Sequence, residues 1–106
     1  MNFNEYQKLA ARTMPTGAGY LHALHGMASE VGEIHALYQK VFQGREIDYE
    51  HVLKEVGDLL WFVAEFCTIH GVNMGDVAEM NIDKLKKRFP EGFNVDRDMN
   101  REQGDV

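Results

Sequence analysis

Residues 30–33 read Glu-Val-Gly-Glu and residues 55–58 read Glu-Val-Gly-Asp. Each tetrapeptide sets two carboxylates three positions apart, about 60° on a helical wheel, so both can project from one flank of a helix. If the two helices that carry them pack antiparallel, Glu30, Glu33, Glu55 and Asp58 converge in one half-buried place. Carboxylates crowded there without compensation repel one another and are driven toward their protonated forms. A divalent cation removes that conflict, and an all-oxygen donor set favours Mg²⁺ or Mn²⁺ over zinc. One acidic pair at this spacing also suits a solvated helix face. Two pairs of the same build, each beside an apolar stripe, favour the metal site. A di-iron bundle draws on carboxylates too, but it uses Glu-x-x-His from two helices. No glutamate in this chain has a histidine three residues later.

Each tetrapeptide also carries a glycine, which costs a helix interior about 1 kcal/mol relative to alanine. On the wheel Gly32 and Gly57 lie away from the carboxylates. They are therefore expected to admit a close neighbouring helix and not to touch the ion.

The elements that must position these acids follow from periodicity. With prolines only at positions 15 and 90, long helices are allowed between them. A first helix is expected over about residues 3–13, capped by Asn2 or Asn4, with Phe3, Tyr6, Leu9 and Ala10 on one face. A second runs over about 20–42, where Leu24, Met27, Ala28, Val31, Ile34, Tyr38 and Val41 recur at intervals of three and four. A third, over about 49–70, has Asp48 as N-cap and Gly71 just past its end. It is apolar over so wide an arc that it predicts cover on more than one side, hence a subunit interface. A fourth covers about 74–88 and stops before Pro90. No strand-like alternation of useful length is present. The architecture expected is all-α: an antiparallel bundle of about four helices over residues 1–93, completed by oligomerisation. Residues 94–106 are polar and aperiodic and are read as a flexible C-terminal tail.

The totals narrow the function. The 106 residues fit one small domain, 44% hydrophobic and 26% charged, which is ordinary for a globular protein. A formal net charge of −6 argues against nonspecific nucleic-acid binding, which needs a basic face. A phosphorylated ligand would need a cation to offset the repulsion. The single Cys67 sits in an apolar run; it is read as a packing residue and fits a reducing, cytoplasmic setting. No signal-peptide pattern and no apolar run of membrane-spanning length is found, so no membrane partner is expected.

The ordered segments EYQKLAARTM, SEVGEIHALYQK, KEVGDLLWFVAEFC and NIDKLKKRFPEGF, with Glu-x-x-Glu and Glu-x-x-Asp separated by residues 34–54, resemble the all-α nucleoside triphosphate pyrophosphohydrolases, specifically MazG-like proteins. The resemblance spans about residues 4–93. It implies hydrolysis of (d)NTPs between the α and β phosphates, with Mg²⁺ as cofactor, by a homo-oligomer, dimer or tetramer. It implies that Glu30, Glu33, Glu55 and Asp58 hold the metal, or that one of the glutamates instead orients or deprotonates the attacking water. Asn81, Lys84 and Arg88, on one face of the fourth helix, would meet the triphosphate. Without the resemblance those cations read as part of a solvated basic face with Lys86 and Lys87. His22 or His25, near the start of the second helix, would touch the nucleotide, although such residues also suit the surface. Lys40 either reaches phosphate or sits where a helix C-terminus favours a cation. His51, four residues before Glu55, is either a supporting partner of that carboxylate or a surface residue. Trp61 suits a core or interface better than a base stack.

The implied role is trimming of nucleotide pools or removal of noncanonical nucleotides. Two alternatives stand beside it: a dUTPase-like member restricted to a pyrimidine nucleotide, and a helical regulatory module that binds nucleotide or metal without turnover.

Overall fold

A computed structural model describes residues 1–106. It is all-α, with four substantial helices and no strand. α1 is Phe3–Ala11, α2 Tyr20–Gln39, α3 Tyr49–Ile69, α4 Met74–Arg88 and α5 Val95–Met99; a short 3₁₀ helix, Lys40–Gln43, follows α2. The chain divides into two compact units, Met1–Met74 and Gly75–Val106.

Local chemistry sets the boundaries in the first unit. Asn2 and Glu5 form a reciprocal capping box: the Asn2 side chain accepts from the Glu5 amide at 2.8 Å, and Glu5 accepts from the Asn2 amide at 3.2 Å. α1 ends at Ala11, two residues earlier than periodicity suggests, and a tight turn carries the chain into Pro15. α2 likewise keeps α-helical bonds only to Gln39, because the last turn tightens to 3₁₀ before Gly44. Asp48 caps α3 by accepting from the His51 amide at 3.1 Å. Past the other end of α3, Gly71 takes φ +68°, a left-handed conformation that a side chain would strain.

α2 and α3 pack antiparallel, and their seam is readable pair by pair: Glu30 opposite Glu55 and Asp58, Gly26 opposite Phe62, and His22 opposite Glu65. α1 lies on α3, where Ala10, Ala64, Cys67 and Met74 form the buried cluster, with Tyr6, Leu60, Trp61 and Val63 around it. The Trp61 indole donates to Thr13 Oγ1 at 2.9 Å, giving the ring's one polar atom a partner. Gln7 bolts α1 to the end of α3. Its amide donates to Thr68 Oγ1 and to the Val72 carbonyl, while its oxygen accepts from the Met74 amide at 2.7 Å.

In the second unit α4 ends at Arg88, and α5 is a five-residue helix with Asn94 as its cap, the side chain accepting from the Arg97 amide at 3.1 Å. α5 lies in the segment read as an aperiodic tail; five residues are too few to show a helical period.

The glycine expectation is corrected. A Cβ on Gly32 or Gly57 would meet nothing within 4 Å, so nothing in the chain packs against either. The close approach is at Gly26, where a Cβ would run into the Phe62 ring. Gly26→Ala should therefore cost about 1–3 kcal/mol of stability through overpacking, measured by chemical denaturation. Gly32→Ala should leave stability unchanged or raise it by up to about 1 kcal/mol.

Candidate metal centre

The centre is built from the middle of the α2–α3 seam. Glu30 and Glu55 are half-buried and Asp58 is exposed, and ligand oxygens from all three lie within 4.8 Å of one another. Glu30 and Glu55 lie close enough to share a hydrogen bond once one of them is protonated. That bond, then burial, then the charges of Glu55, Asp58 and Glu33 push the Glu30 carboxyl up to about 7. Glu55 is held below its ordinary value, first by the same bond and then, against burial, by His51. His51 Nε2 stands 3.0 Å from Glu55 Oε1, so the histidine read as a supporting partner does touch that carboxylate. On the α1 side, burial and then the charge of Asp58 raise the Tyr6 phenol.

The residues fit a divalent cation by an observation independent of their types. Glu30 Oε2 is buried with no hydrogen-bond partner. Buried carboxylate oxygens are normally satisfied, and a cation is the partner this donor set calls for. Glu30, Glu55 and Asp58 would hold it. Glu33 is exposed and lies outside the group. Its charge still reaches Glu30, where it adds to the upward push on that carboxyl.

Other anticipated residues have varied surroundings. His22 Nδ1 is engaged with Glu65 Oε1 at 2.6 Å, and its ring tilts against Phe62 at a centroid distance of 5.6 Å. His25 is exposed, and Lys40 is exposed in the 3₁₀ turn. In the second unit Asn81 is exposed and Lys84 is half-buried beside a cavity. Arg88 is gripped by Asp105, Nε to Oδ2 at 2.9 Å and a terminal nitrogen to Oδ1 at 2.7 Å.

Sequence reasoning missed Glu65. It is only 1% exposed, the most deeply buried charged residue of the chain, and its second oxygen has no hydrogen-bond partner. The available signal was an acid inside the apolar run Val63-Ala64-Glu65-Phe66-Cys67, with His22 at the antiparallel position across the seam.

An all-α chain whose two central helices bring three carboxylates together is a helical protein able to hold a cation. The chain belongs to the MazG nucleotide pyrophosphohydrolase domain family, whose model matches residues 19–93. No curated protein and no solved structure matches it.

The proton favoured on Glu30 has a measurable consequence for the metal-free chain. Between the ordinary glutamate value of 4.5 and about 7, folded Glu30 keeps a proton that the unfolded chain has released. The folded state binds more protons there, so this group's contribution to stability falls as pH rises through that window. Glu55 gives the opposite slope only below about 4.5. Thermal melts from about pH 5 to about pH 8 should show this fall, and Glu30→Gln should abolish it. A cation must expel the proton, so the stabilisation by added Mg²⁺ should grow with pH across the same interval.

Proposed function

We propose that this protein is a Mg²⁺-dependent nucleoside triphosphate pyrophosphohydrolase, converting (d)NTP and water to (d)NMP and pyrophosphate. Membership of the MazG family supports nucleotide pyrophosphohydrolysis in general. The observation that carries the finer reading is the carboxylate group with its orphaned, buried Glu30 oxygen.

A polyanionic substrate and a chain of net charge −6 repel one another. Glu30, Glu55 and Asp58 would hold a divalent cation, whose chemistry would be positive charge against phosphate oxygens and a lowered pKa of bound water. The chain's own groups do the rest. Glu55 is held low first by Glu30 and then by His51, whose ring also positions it at 3.0 Å. Glu33, exposed a turn along α2, is free to orient the attacking water or accept its proton. Lys84 and Arg88 on α4 offer charge to phosphate oxygens, with the Arg88 guanidinium suited to grip two of them at once. Asn81 and His22 remain assigned to substrate by the resemblance, and Lys40 to phosphate by its charge and place at the end of α2. His22 would do so while held by Glu65, so its ring is fixed in orientation.

The protein is proposed to act as a homo-oligomer in the cytoplasm. The single chain buries mainly small side chains, while Leu21 (54% exposed) and Leu24 on α2 and Leu53 (70%) and Val56 on α3 remain exposed. Apolar surface of that extent marks an interaction site. No helix is long and apolar enough to cross a membrane. Its purpose would be to trim nucleotide pools or remove noncanonical nucleotides.

Release of pyrophosphate, assayed with and without Mg²⁺ over a panel of canonical, deoxy and damaged nucleotides, tests this. Turnover should require the cation. Asp58→Asn and Glu30→Gln should each lower kcat by about a hundredfold or more, and His51→Ala by about tenfold. A wild-type rate in Asp58→Asn would sink the proposed centre. Activity confined to dUTP would indicate the pyrimidine-specific alternative, and no turnover of any nucleotide a binding module.

A further inference from the structure

The second unit contains a cavity of about 470 Å³ whose lining includes Lys84, Lys87, Arg88, Arg97 and Arg101, facing Asp83, Glu102 and Asp105. Five cations around one cavity are notable in an acidic chain, and a volume of this order suits a small ligand. The shortest polar contact on its wall is the pair between Arg88 and Asp105. Both side chains are largely shielded, 9% and 15% exposed, and the two hydrogen bonds run in parallel from the guanidinium fork to both carboxylate oxygens. This is the geometry in which arginine takes two oxygens of a phosphate. Arg101 is paired with Asp98 and adds its charge near Asp105, as does Lys84.

Asp105 reaches Arg88 through a particular backbone device. Gly104 takes φ +90°, and the Asp105 amide closes the turn by donating to the Glu102 carbonyl at 3.1 Å. The preceding helix, α5, has only five residues, and past it the side-chain hydrogen bonds other than Arg88–Asp105 are local, Asn100 to the Asp96 carbonyl and Arg101 to Asp98. A phosphate presents the same pair of oxygens as a carboxylate with more charge, so one entering this cavity would compete with Asp105 for the Arg88 fork.

We propose that the cavity of the second unit is a polyphosphate-binding pocket which the chain's own Asp105 occupies in the resting state. The phosphates of a nucleotide, or inorganic pyrophosphate, displace the Asp105 carboxylate from Arg88, and residues 100–106 then release. Residues 100–106 thus form a latch that competes with the ligand. The inference rests on the reading that the cationic face of α4 contacts phosphate.

The experiment compares wild-type protein with Asp105→Asn, Gly104→Ala and Arg88→Gln, measuring the Kd for pyrophosphate by calorimetry and the KM for nucleotide. Circular dichroism melts check folding. Removing the competing charge in Asp105→Asn should tighten pyrophosphate binding by about three- to tenfold, in proportion to the ion pair removed. Gly104→Ala should tighten it in the same direction, because alanine strains the left-handed turn that delivers Asp105. Arg88→Gln should weaken binding by about tenfold or more. A purely structural ion pair predicts unchanged or weaker binding in Asp105→Asn. That result, with Arg88→Gln still impaired, overturns the latch and leaves the phosphate role of Arg88 standing. If Arg88→Gln changes neither Kd nor KM, the phosphate reading of α4 fails and the latch with it. Tightening for both ligands supports a pocket for the substrate's phosphates. Tightening for pyrophosphate alone supports one for the leaving group.

Discussion

The first unit is organised around one electrostatic conflict: three carboxylates brought within 4.8 Å of one another on the seam between α2 and α3. Two like charges at such distances, away from bulk water, cannot both remain ionised without a partner. A proton favoured on Glu30 relieves it: Glu55 and burial push that carboxyl up to about 7, while Glu55 is held low. That is a poor resolution, because a second Glu30 oxygen stays buried without a partner. The conflict is tolerable only if the helices cannot move apart. The rest of the seam must therefore hold them together.

Two contacts on the same seam do so. One turn from Glu30 the backbone of α2 is bare at Gly26, and the Phe62 ring of α3 fills the space. Phe62 is fixed in turn by an edge-on contact with Trp61, centroids 5.0 Å apart, and Trp61 is tied to Thr13. A further turn along, Glu65 is buried against His22. A carboxylate at this depth costs several kcal/mol unless it is paired. His22 supplies the pair while keeping about half its side chain in water, at 46% exposure. Both contacts fix register: an aromatic ring fits only opposite a glycine, and a buried acid only opposite its partner. Slipping either helix by one residue would break both and scatter the carboxylates.

Much of this was legible in the sequence. The four long helices, the Asp48 cap, the Gly71 stop and the acidic pairs all follow from periodicity and capping chemistry, which act within a few residues. What escaped depends on contacts across the seam. Gly32 and Gly57 stand out because they sit inside a repeated motif, yet no neighbour in the chain approaches them. Gly26, in an unremarkable Leu-His-Gly-Met context, is the one that admits a ring. Glu65 was hidden for a related reason: in an apolar run one acid reads as an outward-facing exception. Only the partner helix shows that it faces inward. The separation of Glu33 from the other acids is likewise a matter of which turn of α2 lies opposite which turn of α3. The bond between Arg88 and Asp105 links residues whose types show charge but not pairing, since several cations and acids nearby could have paired instead.

The distribution of side-chain size extends the argument beyond one chain. The buried apolar positions are mostly small, Ala10, Ala23, Ala64 and Cys67, with Val52 and Met74 the larger members. Small residues allow helices close contact but bury little area each, so their contribution through the hydrophobic effect is modest. Larger side chains that would contribute more, Leu53 at 70% exposed and Leu21 at 54%, face outward on the two helices that hold the carboxylates. A chain that places its greatest electrostatic strain on α2 and α3 leaves the best apolar surface of those same helices uncovered. Covering that surface would clamp the seam from outside and oppose the carboxylates' tendency to part. If the proposed assembly covers that surface, it and a bound cation would act through the same two helices, so whatever strengthens one should strengthen the other.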